Sequence, residues 1–294
     1  MDDQDRLAER FESHRSHLRA LAYRMLGSLT ESDDAVQEAW LRLSRTDTSN
    51  VENLAGWLTT VVARVCLDML RSRTSRREEP LGWQVPEPVV NGHRETDPEH
   101  EALLADSVGP ALLVVLDRLA PAERVAFVLH DVFAVPFNEI APIVERSATA
   151  AKKLASRARH RLHGTATSPA ADLARHRQVV DLFLAATRGG DINALLGVLA
   201  PDVVRRADRT VLPAGAATEL RRARAVAEET VTNAPRARYA QPALVDGTVG
   251  LVVAPRGQLL VVLRLTIKED KIAEIDVIAD PARLDQLDLA VLAD

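Results

Sequence analysis

Between residues 6 and 73, apolar side chains recur at helical spacing with almost no glycine or proline between them, which predicts a run of helices. Gly27 with Ser28, and the stretch from Thr46 to Asn50, are its natural breaks. The pattern lapses over residues 74–98, where TSRREEPLGWQVPEPVVNGHRETDP mixes charge, proline and glycine as an extended linker does. Periodicity resumes from Glu101 to about His163, and GTATSPAA marks a second junction. Two further helical stretches follow, LARHRQVVDLFLAATRGG and DINALLGVLAP, and then the strand-like segments VVRRAD, RARYAQPALV, TVGLVV and QLLVVLRLTIKEDKIAEIDVIA. In the last of these Leu259, Val261, Leu263, Leu265 and Ile267 alternate, and KEDK supplies a turn before Ile272. Helices followed by a curved antiparallel sheet predict a multi-domain chain, two all-α domains and then an α+β cone.

The densest constellation lies between Pro136 and Leu162, in PFNEIAPIVERSATAAKKLASRARHRL. Phe137, Ile140, Ala141 and Val144 form the apolar face of a first helix. Glu145 to Ser147 makes the turn, and Ser147 is placed to cap a second helix. On that helix Ala151, Leu154, Ala155, Ala158 and Leu162 share one side, while Thr149, Lys153, Ser156, Arg157 and His160 face away, flanked by Lys152 and Arg161. Hydrogen-bond donors gathered on the outer face of a second helix suit major-groove readout and phosphate contact. A solvated basic face on an ordinary helical hairpin is the plainer reading. The three-residue turn, the capping serine and the lack of any acid between Glu145 and Asp172 favour DNA.

Two upstream helices carry polar faces of their own. In ESDDAVQEAWLRL, Val36, Trp40 and Leu43 make an apolar stripe opposite Asp34, Gln37, Glu38 and Leu41. A leucine among acids and an amide fits a partner surface as well as it fits a solvated face. In NLAGWLTTVVARVCLDMLRSR, Asn53 is a cap candidate and Leu54, Trp57, Leu58, Val61 and Val65 are expected to be buried. Thr60, Arg64 and Arg71 form a polar stripe, which Arg73, Arg76 and Arg77 continue. Arginines along a helix edge can follow a phosphate backbone, and Thr60 or Trp57 can hold unstacked bases, although for Trp57 a core position is the competing role.

The chain has 294 residues, 47% hydrophobic and 27% charged, enough for two or three domains. A net charge of -5 argues against a generic nucleic-acid coat or a basic membrane binder. By segment, residues 1–100 hold 13 basic and 18 acidic side chains, 101–171 hold 8 and 7, and the remainder 16 and 17. The basic stripe therefore stands on a neutral domain. The single cysteine, Cys66, excludes an internal disulfide framework or a multi-cysteine zinc site, and it is expected to pack inside. MDDQDRLAERFESHRSH is not a signal peptide, and no apolar run approaches the roughly 18 to 20 residues of a membrane span. A cytoplasmic protein with no membrane partner and no cofactor is expected.

Taken in order, the acidic ESDDAVQEAWLRL helix, the GWLTTVVARVCLDMLR helix, a linker, and LAPAERVAFVLHDVFAVPFNEIA leading into a helix-turn-helix resemble the extracytoplasmic-function (ECF) sigma factors of bacterial RNA polymerase. The resemblance covers residues 6–163, and GDINALLGVLAPDVV with the later strands resembles the SnoaL-like domain of one ECF subfamily. It implies sigma region 2 at 1–73, a linker at 74–100, sigma region 4 at 101–164 and a SnoaL-like domain at 172–294. It further implies that Asp33, Asp34, Gln37, Glu38 and Leu41 dock on core polymerase, through the beta-prime clamp and beta subunits. Asn53, Trp57, Thr60, Arg64 and Arg71 would read the -10 element, and Thr149, Lys152, Lys153, Ser156, Arg157, His160 and Arg161 the -35 element of promoter DNA.

The subfamily's linker motif is met here by Gln84, Val85, Pro86, Glu87 and Pro88, with the tryptophan displaced to Trp83. Asp246, Gly247 and Gly250 resemble its Asp-Gly-x-Gly signature with one extra residue, and Asp280, Pro281 and Leu284 its terminal motif. These would mark intramolecular contact of the C-terminal domain with the sigma domains or linker, regulating the chain in place of a separate anti-sigma factor. A stand-alone helix-turn-helix regulator with a ligand-sensing domain is the alternative. Catalysis in the cone is the third reading: Glu274 and Asp276 are expected to share a strand face with Ile272 and Ile278, so that a carboxylate could look into a cavity, but histidine is absent after His176 and Tyr239 is the one tyrosine there.

Overall fold

The computed structural model describes residues 3–46, 53–76, 109–164, 167, 169–213 and 215–292. Three long helices open it, α1 (Asp3–Leu26), α2 (Leu29–Leu43) and α3 (Leu54–Arg76). Next come α4 (Pro110–Asp117), α5 (Pro121–Phe127) running into a π-helical turn at Val128–Val132, α6 (Phe137–Ile140) and α7 (Ala148–His163). The C-terminal part has α8 (Ala170–Gly189), α9 (Ile192–Val198), β1 (Leu199–Ala207), β2 (Glu219–Arg221), α10 (Ala223–Thr232) and α11 (Ala234–Ala237). It ends with β3 (Ala240–Val245), β4 (Thr248–Val253), β5 (Val261–Lys268), β6 (Lys271–Ile278), α12 (Pro281–Leu284) and β7 (Leu289–Ala290). The chain forms two compact units, one from residues 1–108 and 119–158, the other from 109–118 and 159–294.

In the first unit α1, α2 and α3 pack around Phe11, Leu18, Leu21, Met25, Val36, Leu43, Leu58 and Val62. Ser28 caps α2 by accepting from Glu31 N at 3.4 Å, so the break at Gly27–Ser28 is built as a helix start, and Asn53 caps α3 by accepting from Gly56 N at 3.0 Å, while residues 47–50 of the second expected break lie outside the described residues. The buried face of α3 is Leu54, Leu58, Val62, Val65, Cys66 and Leu70. Trp57 and Val61, expected in that core, are half-buried at its margin, because the stripe turns with the true helical period toward Val62. The segment Leu119–Ala158 packs on this bundle. Arg124 of α5, 2% exposed, lies beside Gly27 and Cys66. The Phe133 ring stands edge-on to His17 at 5.2 Å, with the Arg24 guanidinium 5.5 Å from its centroid.

In the second unit a seven-stranded sheet of order β2-β1-β6-β5-β4-β3-β7 curves over α8, α9 and α10. Phe183, Leu184, Leu195, Val203, Val226, Leu251, Leu265 and Ile275 fill the space between them. The sheet is mixed, not wholly antiparallel as predicted, because β1 runs parallel to β6. Glu269 and Asp270, both in the left-handed region (φ 50° and 58°), form the expected hairpin turn. RARYAQPALV is a strand only from Ala240; its start is helical, with Pro235 in the first turn of α11.

A bulge in β6 corrects the expected face of the two carboxylates. Ile267 pairs with Ile272 but Thr266 pairs with Glu274, so Ala273 is an extra residue and the alternation slips by one. Ile272 and Ile275 both enter the core. Glu274 and Asp276 instead pair with Arg206 (2.9 Å) and Arg264 (2.9 Å), outside the core cluster.

Candidate nucleic-acid interface

The helix-turn-helix is built by local chemistry. Helix α6 is shorter than predicted: after Ile140 the chain continues as turns, closed by Arg146 N donating to Ala141 O at 3.0 Å. Glu145 takes φ 56° there, the left-handed residue that ends the helical path. Ser147 Oγ then accepts from Ala150 N at 3.2 Å and starts α7. Ile140, Ala141, Ile143 and Val144 are buried beneath it, as are Ala151, Ala155, Ala158 and Leu162 of α7 itself. The opposite face stands in solvent: Thr149, Lys152, Lys153, Ser156, Arg157, His160 and Arg161 are all exposed. The geometry thus brings all seven predicted -35 residues onto one donor-rich surface, with alanines on the packed side that let α7 sit close to its neighbours.

The five residues predicted for the -10 element share α3 but do not share a condition. Asn53 is spent as a cap, and Thr60 Oγ1 donates to Gly56 O at 3.0 Å. Arg64 Nη2 donates to Pro142 O at 3.3 Å, and Arg71 reaches Glu145 at 3.3 Å. Both arginines therefore touch the turn of the helix-turn-helix. Arg73, read as a continuation of the stripe, is structural: it holds Leu26 O at 3.0 Å and pairs with Glu31. Arg77 lies outside the described residues.

On α2, Asp34, Gln37 and Leu41 are exposed, with Leu41 at 39% one of the few large apolar side chains exposed among the described residues. Asp33 is held by Arg19 at 3.1 Å, and Glu38 by Arg42 one turn on at 2.9 Å.

In the C-terminal unit Asp246 (φ 50°) and Gly247 (φ 78°) form the β3–β4 turn, tied to Asp288 by two hydrogen bonds of 2.8 and 3.0 Å. At Gly250 a Cβ would fall 2.7 Å from Leu263 O, so no side chain fits. Asp280 caps α12 by accepting from Arg283 N at 3.1 Å, and Pro281 opens that helix. Pro86, Glu87 and Pro88 lie outside the described residues.

Sequence reasoning missed Arg118, whose guanidinium donates to Leu284 O at 2.7 Å and to Leu287 O. Its burial lowers its pKa, against the pull of Asp285, Asp288, Asp117 and Asp246. One signal was available: Ala111–Leu116 is apolar without interruption, and a helix apolar on every side must be covered on more than one. At the edge of the core Arg205, 4% exposed, pairs with Glu229 at 2.7 Å and donates to Ala217 O and Thr218 O. Among the described residues there is no cluster of metal-ligand type, and no helix is long and apolar enough to cross a membrane.

An exposed donor face on the second helix of a helix-turn-helix, joined to a three-helix bundle with an acidic, leucine-bearing face, defines a sigma-70-type DNA-reading protein. The family models agree: "Sigma-70 region 2" matches residues 10–76 and "Sigma-70, region 4" matches residues 110–162. The chain is 35% identical to the probable ECF RNA polymerase sigma factor SigI of Mycobacterium tuberculosis over 98% of both chains. It is 45% identical to the ECF RNA polymerase sigma factor SigJ of the same organism over 67% of this chain and 64% of that one. The crystal structure of Mycobacterium tuberculosis SigJ aligns over 94% of this chain and 98% of its own, at 36% identity and a TM-score of 0.48. The chain belongs to the ECF RNA polymerase sigma factors. Its role is that of a sigma factor, and not of a stand-alone regulator.

Proposed function

We propose that this chain binds core RNA polymerase through the exposed Asp34–Gln37–Leu41 face of α2, with Asp33 and Glu38 at its edge, on the beta-prime clamp. Residues 1–73 act as region 2 and read the -10 element through Trp57, Thr60, Arg64 and Arg71, with Asn53 setting the start of the helix. Residues 101–164 act as region 4 and meet the -35 element through Thr149, Lys152, Lys153, Ser156, Arg157, His160 and Arg161, and residues 74–100 link the two and thread toward the polymerase active-site cleft. The observation that carries this reading is that all seven donor residues are exposed on a helix whose other face is buried. The protein works in the cytoplasm, where promoter DNA and polymerase are.

Residues 172–294 regulate these parts and are not catalytic. The support is chemical: Glu274 and Asp276 are neutralised by arginines outside the core, and the core itself is packed with aliphatic side chains. Run-off transcription with purified core polymerase over a promoter library tests the whole reading. Template-specific transcripts that vanish when Asp34 and Leu41 are both changed to alanine support it. Transcripts independent of the added chain, or unaffected by that double change, overturn it.

A further inference from the structure

The C-terminal unit holds more than its own sheet. Helix α4, inside the stretch matched as region 4, packs on that sheet: Ala111 N donates to Gln241 Oε1 at 3.3 Å, and Leu113 lies over Gly257, where a Cβ would come within 3.1 Å of it. At its end Arg118 grips the carbonyls of Leu284 and Leu287. Two fixed carbonyl acceptors suit the planar fork of a guanidinium and not a single ammonium. The same few residues also hold the chain where it leaves the recognition helix. Val291 N donates to Leu162 O at 2.7 Å, Ala290 fills the space beside Gly164, and Thr167 donates through N and Oγ1 to Gly247 O, each at 3.1 Å. The two receiving pieces, the β3–β4 turn and the segment 284–291, are themselves joined through Asp246 and Asp288.

The segment Leu119–Ala158, which carries the helix-turn-helix, begins at the residue after Arg118 and ends at the residue before Arg159. Both of its covalent ends thus run into residues that the C-terminal unit grips. We propose that the β3–β4 turn and residues 284–291 form a clasp on the chain at the two ends of the segment that carries the helix-turn-helix, with Arg118 as a positioning residue for -35 recognition. This rests on the sigma factor reading above. The clasp limits the freedom of both ends before DNA is met, so less order has to be imposed on binding. It also gives the Asp246–Gly247 turn and the segment after Asp280, noted separately in the sequence, a single task.

The test uses the full chain bound to core polymerase, and measures affinity for promoter duplexes with an intact or a scrambled -35 element. For Arg118→Ala the preference for the intact element should fall about tenfold, the size of a lost charge-assisted hydrogen bond, while affinity for the -10 element stays unchanged. Arg118→Lys should restore part of it, and amide exchange should quicken at Ala111 and Gly164. Thr167→Val, a single loop hydroxyl, should lower the same preference about threefold, and it decides the matter if Arg118→Ala does not fold. An unchanged preference in Thr167→Val and in any folded Arg118→Ala overturns the clasp, and so does equal weakening at both elements. Lys153→Ala is the reference: if the wild type shows no preference for either element, the sigma reading itself fails, and with it this inference.

Discussion

Arg71 and Glu145 face each other between α3 and the turn of the helix-turn-helix, Nη2 to Oε2 at 3.3 Å, at the side of a cleft of about 290 Å³ that Arg64, Asp68, Pro142 and Ile143 also line. Two of the arginines proposed for the -10 element are therefore engaged here, Arg64 by Pro142 O and Arg71 by Glu145, and a nucleic-acid strand has to displace Glu145 to reach Arg71. Both partners are largely solvated, so the pair contributes at most about 1 kcal/mol and is screened by salt. Glu145→Gln should leave the melting temperature essentially unchanged and strengthen binding of a -10 single strand at low salt, with the gain lost at high salt. Titration of a fluorescent oligonucleotide at two ionic strengths checks this, and a gain that persists at high salt would contradict a screened electrostatic origin.

The outer face of α7 makes a second prediction. Lys153 and Arg157 are exposed one turn apart, with no carboxylate in the sequence from Arg146 to Ala171 to neutralise them. Each phosphate contact releases about one counterion, so Lys153→Ala or Arg157→Ala should weaken -35 binding and reduce the salt slope by about one. Neither change should alter stability by more than about 0.5 kcal/mol, because neither side chain is packed. A salt series with the holoenzyme distinguishes this from a base contact, which would change the preferred sequence and leave the slope nearly intact.

What was legible in the chain was what one element decides for itself. The caps at Asn53 and Ser147, the turn at Glu145 and the two faces of α7 depend on residues within a few positions, and each is where the pattern put it. The parallel pairing of β1 with β6 depends on a crossover through β2, α10 and the following hairpins, and no local pattern states it. The slip at Ala273 is a single inserted residue, invisible to a count of alternating positions, yet it moved Glu274 and Asp276 away from the core. Arg118 was missed for the same reason at longer range: its acceptor at Leu284 is 166 residues away.

Cys66 offers a clock for opening of the first unit. Its side chain is fully buried, and burial pushes its thiol up to about 12, against the smaller opposing pull of Arg124 and a backbone hydrogen bond. Only about one molecule in ten thousand then carries a thiolate at pH 8, and the thiolate is the nucleophile. Iodoacetamide should leave the native chain unmodified and label it stoichiometrically in denaturant, with the rate between these limits reporting exposure of the α1–α3 core. Fast labelling of the native protein, followed by mass spectrometry, would show that this core opens far more readily than its packing implies.

The C-terminal unit should respond to acid through Asp208. Burial raises its pKa, but the backbone N–H groups of Asp280 (3.0 Å) and Ala279 (2.9 Å), together with Arg283, outweigh that and hold the carboxyl below its ordinary value. A carboxylate with a depressed folded pKa contributes stability that is fully present above its unfolded value, near 3.9, and is lost as pH falls through the folded one. Asp208→Asn removes the charge that Arg283 and the two N–H donors favour. It should cost about 1 to 3 kcal/mol at neutral pH and progressively less as the wild-type carboxyl is protonated. Thermal unfolding of both proteins across the acid range should therefore give two curves that converge downward from about pH 4. Curves that run parallel would mean that the contribution of Asp208 is shape and hydrogen bonding alone, with no part from its charge.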